Sequence, residues 1–280
     1  MKVIDMHTHI FPEKIAAKAT VATAEYFDLP EPPNHYGSVS ELVDVLRRAG
    51  IDYAMVFSAA TTEHQVEHIN RYILSEAEAN PHFLPCGTLH AGYGNYKEEL
   101  RWMREHGVHG VKLHPEFQHF VLDDERLFPM FEEMERTDMF LIAHMGDPRV
   151  NVSGPKRMIP IAETFPRLRC IAAHLGNWGD WDIEKIRPLA KLPNVYTDIS
   201  SSFSYVTDKA PLYPILREYD PTHVFFGSDY PIWCPQKELE KEYHVSPARA
   251  KLAVDCAKAS VEARQSLQPG EVSLYIGIPF

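Results

Sequence analysis

The 280-residue chain has no hydrophobic run of membrane-spanning length and no run of lysine or arginine. A membrane-spanning helix needs roughly 18 consecutive apolar residues. A nucleic-acid-binding surface is typically basic, whereas this chain carries a formal net charge of -11. We therefore expect neither a membrane nor a nucleic acid as partner, and a small molecule as substrate.

Cysteine is also scarce, with only 4 in the chain and no Cys-x-x-Cys pair. Cys86 and Cys170 lie inside apolar runs, where a reduced cysteine behaves as a small hydrophobic residue. The N-terminus lacks the charged and then apolar pattern of a signal peptide. These absences favour a cytoplasmic protein without a disulfide framework.

Short apolar runs do occur, and they alternate with amphipathic stretches of helical length. Eight runs are rich in apolar residues: Val3–Met6, Tyr53–Ser58, Phe83–Leu89, Gly110–Leu113, Phe140–Ala143, Arg169–Ala173, Val195–Ile199 and Val224–Gly227. After the first, they recur about every 25–31 residues, the length of one strand–helix unit. No Gly-x-Gly-x-x-Gly follows any run, which argues against a doubly wound sheet. We predict an α/β fold, a TIM-like (β/α)8 barrel that forms a single domain over residues 1–280.

The stretches between these runs are predicted to be the barrel helices. Their predicted bounds are Ser40–Ala49, Glu63–Ala79, Tyr96–Glu105, Asp124–Arg136, Gly154–Phe165, Ile183–Lys191 and Lys209–Tyr219. The first connection, residues 10–39, is longer than the others and rich in proline near its end. Because long connections in compact domains usually carry function, we expect a lid loop there.

Histidines and one aspartate stand where the predicted strands end. His7 and His9 are two residues apart on the first strand, so their side chains share one face. Further polar residues follow the later strands: Lys112, His114, His144, His174 and Asp229. The carboxyl ends of barrel strands form one rim, and barrel active sites lie there. The pattern therefore indicates a site that uses histidine, the commonest metal ligand.

These segments resemble the amidohydrolase superfamily, specifically its amidohydrolase-related (amidohydrolase 2) branch of metal-dependent hydrolases and nonoxidative decarboxylases. The matching segments are residues 4–12 (IDMHTHIFP), 110–115 (GVKLHP), 142–146 (IAHMG), 173–176 (AHLG) and 226–231 (FGSDYP). Their order along the chain is the order found in that branch.

The resemblance implies that one divalent metal is held by four residues, His7, His9, His144 and Asp229. Such a ligand set suits Zn²⁺, with Mn²⁺ or Fe²⁺ as alternatives. It also implies catalytic roles for Asp229, as the base toward the metal's water, and for His174, which polarises substrate or moves a proton.

Four further residues are candidates for substrate binding. Lys112 either carries charge at a one-metal site or is carboxylated to bridge two metals, as in some amidohydrolases. His114 either contacts substrate or supports the residues that do. Arg149 is a candidate for binding a substrate carboxylate in a bidentate contact, and Trp178 for lining an aromatic pocket.

Three functions remain open at this point. We expect a hydrolase in which metal-bound hydroxide cleaves a C–O or C–N bond of a lactone, amide or cyclic compound. The alternative enzyme is a nonoxidative decarboxylase of an aromatic or unsaturated acid, although decarboxylases of this branch tend to be longer. The third is a non-catalytic metal-binding barrel, since fold alone does not confer function.

The C-terminal part, residues 232–280, departs from the family pattern. In place of the usual closing helices it ends in Leu274–Phe280, an apolar segment. We expect a C-terminal helical extension that packs across the barrel or on a neighbouring subunit, and hence a homo-oligomer, most simply a dimer.

Overall fold

Nine parallel strands build the centre of the protein, whose computed structural model describes residues 3–243. The strands are β1 Ile4–His9, β2 Tyr53–Phe57, β3 Phe83–Pro85, β4 Gly87–Thr88, β5 Gly110–Leu113, β6 Phe140–Ala143, β7 Arg169–Ala172, β8 Val195–Asp198 and β9 Val224–Phe225. They form a three-stranded sheet in the order β1-β2-β3 and a six-stranded sheet in the order β4 to β9. Within each sheet, every strand pairs with its neighbour in the chain, as in a barrel.

The two sheets follow directly on each other at one side and are joined by backbone hydrogen bonds at the other. Only Cys86 separates β3 from β4, and its N donates to Val56 O of β2 at 3.0 Å. At the seam between β1 and the segment after β9, His9 N donates to Tyr230 O at 2.7 Å and Asp229 N donates to His7 O at 2.9 Å. The predicted TIM-like barrel is thus confirmed, and its last seam holds the backbones of His7 and Asp229 side by side.

Helices cover the outside of the strands. Their bounds are α1 Glu13–Tyr26, α2 Val39–Ala49, α3 Val66–Ala79, α4 Tyr96–Glu105, α5 Pro115–Gln118, α6 Phe128–Arg136, α7 Pro155–Thr164, α8 Ile183–Ala190, α9 Ser202–Tyr205, α10 Leu212–Leu216 and α11 Pro235–Tyr243. One large apolar core lies between strands and helices, with Leu42, Ile73 and Leu141 among its fully buried residues. A smaller cluster, with Met55, Phe57 and Phe140, consists of strand residues. Within residues 3–243, the structure has no helix that combines the length and apolarity needed to span a bilayer.

Most predicted elements shift by a few residues at their ends, and two differ more from the prediction. The run Phe83–Leu89 forms two short strands, because Pro85 has no N–H to donate to a ladder. The helix expected over Lys209–Tyr219 is only Leu212–Leu216, because Pro211 stands directly before its first residue.

The prediction that residues 10–39 form a loop is wrong. Helix α1 occupies much of this connection and buries Ala16, Thr20 and Ala24 on one face. Alanine is the strongest helix former, so the alanine-rich sequence of this segment is a signal for a helix. The predicted extension over residues 232–280 lies mostly outside the described residues, which include only its start and α11.

Candidate functional site

Three predicted metal ligands converge where β1 meets the segment after β9. Asp229 Oδ1 lies 3.5 Å from His7 Nε2 and 3.5 Å from His9 Nε2. The three donor atoms all lie within 4.8 Å of one another. The pairing of β1 with β2 shifts register between Asp5 and Thr8, an irregularity of the kind that re-aims strand side chains near active sites.

His7 is held in one tautomer by a buried carboxylate. His7 Nδ1 lies 2.9 Å from Asp198 Oδ2, so Nδ1 carries the proton and the Nε2 lone pair faces Asp229. Burial, reinforced by the charge of Lys112, lowers the pKa of His7 to about 3. Burial also lowers the pKa of His9. Both imidazoles are therefore neutral, as metal ligands must be.

Asp229 is ionised. Burial alone raises the pKa of this carboxyl, but its polar contacts with His9 and with the neighbouring rings of His7 and His174 hold the pKa well below its usual range. Its second oxygen, Oδ2, accepts a hydrogen bond from the Ser201 hydroxyl at 2.5 Å. Asp229 and Ser201 both have left-handed backbones, with φ of 59° and 57°. Strained backbone at non-glycine residues concentrates at functional sites.

His174 and His144 form a second pair beside these ligands. His174 Nδ1 lies 2.9 Å from the Ser200 carbonyl oxygen, and His174 Nε2 lies 3.0 Å from His144 Nδ1. His174 also has a left-handed backbone, with φ of 59°. The structure thus brings His174 beside His7, with ring centroids 4.8 Å apart. It turns His144 toward His174, and the role of His144 as fourth ligand stays a prediction.

Lys112 lies deeper in the barrel than the other candidates. Its side chain is fully buried, and its Nζ is 3.1 Å from His7 Nε2 and 4.8 Å from the centre of the Phe57 ring. Burial lowers the pKa of Lys112 to about 8. Lys112 does not line the cavity, so this geometry gives no support to the predicted contact with substrate.

A cavity of about 540 Å³ opens above the histidines. Phe11, Tyr26, Phe27, Phe117 and Trp178 supply aromatic walls, and the C-terminal half of α1 covers one side. His9, His114, His144, His174 and Asp229 supply its polar groups. The predictions for Trp178 and His114 thus place both residues correctly on the cavity wall, whereas their contact with a substrate stays a prediction.

Arg149 lies outside this cavity. Its guanidinium donates to both oxygens of Asp147, at 2.9 and 2.8 Å, and to the carbonyl oxygen of Tyr26 at 2.5 Å. The same group lies 4.8 Å above the centre of the Tyr26 ring. Arg149 therefore holds the end of α1 in place, and its predicted bidentate partner is Asp147 instead of a substrate.

The sequence interpretation assigned no role to several residues that shape the site. Glu116 lies 3.2 Å from His114 and lines the cavity, and Phe27 lines the cavity as well. Asp198, the last residue of β8, is the partner of His7. The sequence signal for Glu116 was its position two residues after His114, a histidine at a strand end and therefore at the rim where barrel active sites lie.

The donor atoms fit a divalent metal. In a tetrahedral zinc site with bonds of about 2.0–2.1 Å, neighbouring ligand atoms lie about 3.4 Å apart. Both distances from Asp229 Oδ1 to the histidine nitrogens are 3.5 Å. The His7–Asp198 contact is the carboxylate–histidine arrangement that orients metal-bound imidazoles. His7, His9 and Asp229 are therefore already spaced for an ion.

Comparison with solved structures agrees with this fold. A solved TIM-barrel protein of uncharacterised function from Bordetella bronchiseptica superposes with a TM-score of 0.69 at 18% identity, covering 88% of this chain and 92% of that one. The 5-carboxyvanillate decarboxylase of Sphingomonas paucimobilis gives 0.61 at 15% identity, covering 85% and 92%. A probable 2-pyrone-4,6-dicarboxylic acid hydrolase from Acinetobacter baumannii gives 0.61 at 13% identity, covering 87% and 92%.

At these identities the solved structures establish the fold alone. A sequence model of the amidohydrolase family matches residues 4–259, which is most of the chain. The matched range contains every candidate ligand and the whole cavity wall. The chain therefore belongs to the amidohydrolase family.

Proposed function

We propose that this protein is a metal-dependent hydrolase that cleaves a C–O or C–N bond in a small lactone, amide or cyclic compound. One divalent ion is held by His7, His9 and Asp229, with His144 as fourth ligand. Zn²⁺ suits these ligands best, and Mn²⁺ or Fe²⁺ are substitutes. Such an ion polarises a carbonyl group and lowers the pKa of a water molecule to about 7.

The charge of the cavity wall is the observation that favours hydrolysis. Among the described residues that line the cavity, none is a lysine or an arginine, and Asp229 and Glu116 are acidic. A carboxylic acid substrate would find no cationic side chain on this wall. A neutral carbonyl compound needs none, and the aromatic side chains Phe11, Phe27 and Trp178 offer it an apolar surface.

Two side chains are placed to move protons. Asp229, with its depressed pKa, is an ionised base that keeps one oxygen toward the two imidazoles while Ser201 holds the other. His174 lies on the cavity wall, with Nδ1 2.9 Å from the Ser200 carbonyl oxygen and Nε2 3.0 Å from His144 Nδ1. Asp229 takes a proton from water and returns it to the leaving group, while His174 relays protons at the cavity wall.

The second candidate is a nonoxidative decarboxylase of an aromatic acid. The aromatic walls fit a planar ring, and the 5-carboxyvanillate decarboxylase shares the fold. For that substrate the ion itself must bind the carboxylate, because the wall supplies no other cation.

A paired assay separates the two reactions. Zinc-loaded protein is offered lactones and esters with proton release measured, amides with amine release measured, and aromatic acids with CO2 release measured. We expect hydrolysis of at least one neutral compound, and a loss of about 100-fold or more in Asp229→Asn. Asp208→Asn, an exposed aspartate, serves as the control. CO2 release without hydrolysis would establish the decarboxylase, and metal binding with neither reaction would indicate a non-catalytic barrel.

A further inference from the structure

We propose that His114 accepts a hydrogen bond from a hydroxyl or amine group of the substrate, and that Glu116 positions the His114 ring for this contact. The inference rests on the proposed function, because it assigns a substrate-binding role in the cavity that holds the proposed metal ligands.

Packing leaves only one edge of the His114 ring available. The ring stacks on Phe117 with centroids 4.1 Å apart and on His144 with centroids 4.1 Å apart, so both faces are covered. On the Nδ1 edge, the nitrogen lies 3.2 Å from Glu116 Oε2. Since His114 lines the cavity, the remaining edge, which carries Nε2, is the one that meets a ligand.

Two nearly parallel imidazoles cannot both bind one ion. The rings of His114 and His144 are inclined by only 9°, whereas a shared metal must lie close to the plane of both rings. The cluster of His114, Glu116 and His144 is therefore better suited to hydrogen bonding than to a second metal.

Glu116 is itself fixed in place. Its side chain is fully buried, and its other oxygen, Oε1, accepts a hydrogen bond from the Ser153 hydroxyl. His114 Nδ1 and Glu116 Oε2 lie 3.2 Å apart without the geometry of a hydrogen bond, and neither atom has another hydrogen-bond partner in the described part of the chain. A carboxylate accepts only, so its approach to Nδ1 favours the tautomer with the proton on Nδ1, in which Nε2 presents a lone pair.

The backbone of His114 is held as well. His114 N donates to Gln118 Oε1 at 2.7 Å, and the amide of Gln118 donates to the carbonyl oxygens of Ala60 and Leu89 at 2.7 Å each. A ring fixed on its faces, its Nδ1 edge and its backbone is a preorganised acceptor.

The acidic residues on the cavity wall restrict which substrates suit this end of the cavity. With acidic Glu116 and Asp229 on the wall and no cationic side chain among the lining residues, a second carboxylate at this end meets no partner. The site therefore suits a molecule whose remote end carries a hydroxyl or amine group and no negative charge.

The tautomer of His114 gives the first test. Nitrogen NMR of protein labelled with ¹⁵N-histidine, with His114→Phe to assign the signal, distinguishes a protonated Nδ1 from a protonated Nε2. We expect the Nδ1–H tautomer of His114 in zinc-loaded wild type. In Glu116→Gln we expect a mixture of both tautomers, because the amide faces Nδ1 with either its oxygen or its NH2 group. An Nε2–H form in the wild type would overturn the proposal.

Ligand pairs give the second test. Binding of 3-hydroxybenzoate, 3-methoxybenzoate and isophthalate to zinc-loaded protein is measured by calorimetry, with benzoate as reference. We expect 3-hydroxybenzoate to bind about tenfold more tightly than 3-methoxybenzoate, and isophthalate to bind more weakly than benzoate. In His114→Phe, which keeps an aromatic ring in the stack, the hydroxyl preference should fall to about twofold or less, with benzoate affinity retained.

The control is His223→Phe, because His223 stacks on Tyr196 away from the cavity. A hydroxyl preference that persists in His114→Phe, or is absent in the wild type, contradicts the proposal. Metal analysis of the same samples keeps the two claims apart. Failure to bind metal contradicts the proposed function, whereas a wrong tautomer with normal metal content contradicts only the role of His114.

Discussion

Asp198 Oδ2 lies 2.9 Å from His7 Nδ1, and both side chains are almost completely buried. Burial opposes ionisation of this carboxyl, but the close polar contact with His7 holds the pKa of Asp198 below its ordinary value. The Asp198–His7 pair keeps the proton on Nδ1 of His7 and leaves the Nε2 lone pair for a metal ion. Substitution of Asp198 therefore tests whether this pair contributes to metal binding.

Replacing Asp198 with asparagine should weaken metal binding by about 10–100-fold, the usual effect of losing a carboxylate behind a ligating histidine. An amide can present its NH2 group to His7 Nδ1 and so shift the proton to the nitrogen that binds the ion. Zinc affinity is measured by competition with a chelating dye. Asp208→Asn is the control, and an unchanged affinity in Asp198→Asn would show that the pair does not orient His7.

His174→Gln should lower kcat by about 10²–10⁴-fold and leave the metal content at the wild-type value. The reason is that His174 lies beside His7 and on the cavity wall but is not one of the three convergent ligands. Steady-state kinetics measure the fall in kcat, and metal analysis of the same preparation measures the metal content. His223→Gln is a matched control far from the cavity, and loss of metal in His174→Gln would place His174 among the ligands instead.

Asp5→Asn should stabilise the metal-free protein above neutral pH. Burial raises the pKa of Asp5 from 3.8 to about 7, so Asp5 loses its proton at a lower pH in the unfolded chain than in the folded one. The free energy of unfolding of the wild type therefore falls by on the order of 2–4 kcal/mol as pH rises from about 4 to about 7, and it stays level above that. The asparagine still accepts hydrogen bonds from the backbone N–H groups of His7 and Ser228.

Thermal melts of both proteins at pH 4 and pH 8 measure this effect. The difference in unfolding free energy should be small at pH 4 and large at pH 8. Asp220→Asn provides a control of opposite sign, because a hydrogen bond from Thr222 lowers the pKa of Asp220. Equal differences at the two pH values would mean that Asp5 does not titrate in the folded state.

Arg149→Met should loosen the end of α1 without a specific loss of carboxylate binding. Arg149 holds the Tyr26 carbonyl and ring, and the next residue, Phe27, forms part of the cavity wall. We expect faster proteolysis near residues 26–30 and a similar loss of affinity for benzoate and benzamide. Arg157→Met, which breaks contacts to Asp123 and Asn151, is the control. A loss confined to benzoate would restore Arg149 as a carboxylate-binding residue.

The sequence predicted the strands and which residues lie together at their carboxyl ends. Apolar runs at regular spacing predicted the parallel strands, and parallel strands bring their carboxyl ends to one rim. That is why His7, His9, His174 and Asp229 could be placed together although they are distant in the chain. Local sequence signals also exist where backbone geometry is decisive: Gly50 ends α2 in a left-handed conformation, which glycine adopts without strain.

Side-chain direction could not be predicted in this way. Arg149 follows a strand end as His144 does, yet its guanidinium turns to Asp147 and the end of α1. Lys112 lies on a strand, but Phe57 and His7 enclose its ammonium group inside the barrel. Helix α1 was not predicted because the prolines near the end of residues 10–39 indicate a loop, although the alanines before them favour a helix. Each outcome depends on packing between distant segments, which spacing along the chain does not encode.

The central claim is that His7 and Asp229 share one metal ion, and metal content tests it most directly. Purified wild type is compared by elemental analysis with His7→Ala, Asp229→Asn and the remote variant His223→Gln. We predict about one equivalent of zinc or manganese per chain in wild type and His223→Gln, and loss of that metal in the other two. Protein without metal, or metal content that neither His7→Ala nor Asp229→Asn changes, would contradict the account.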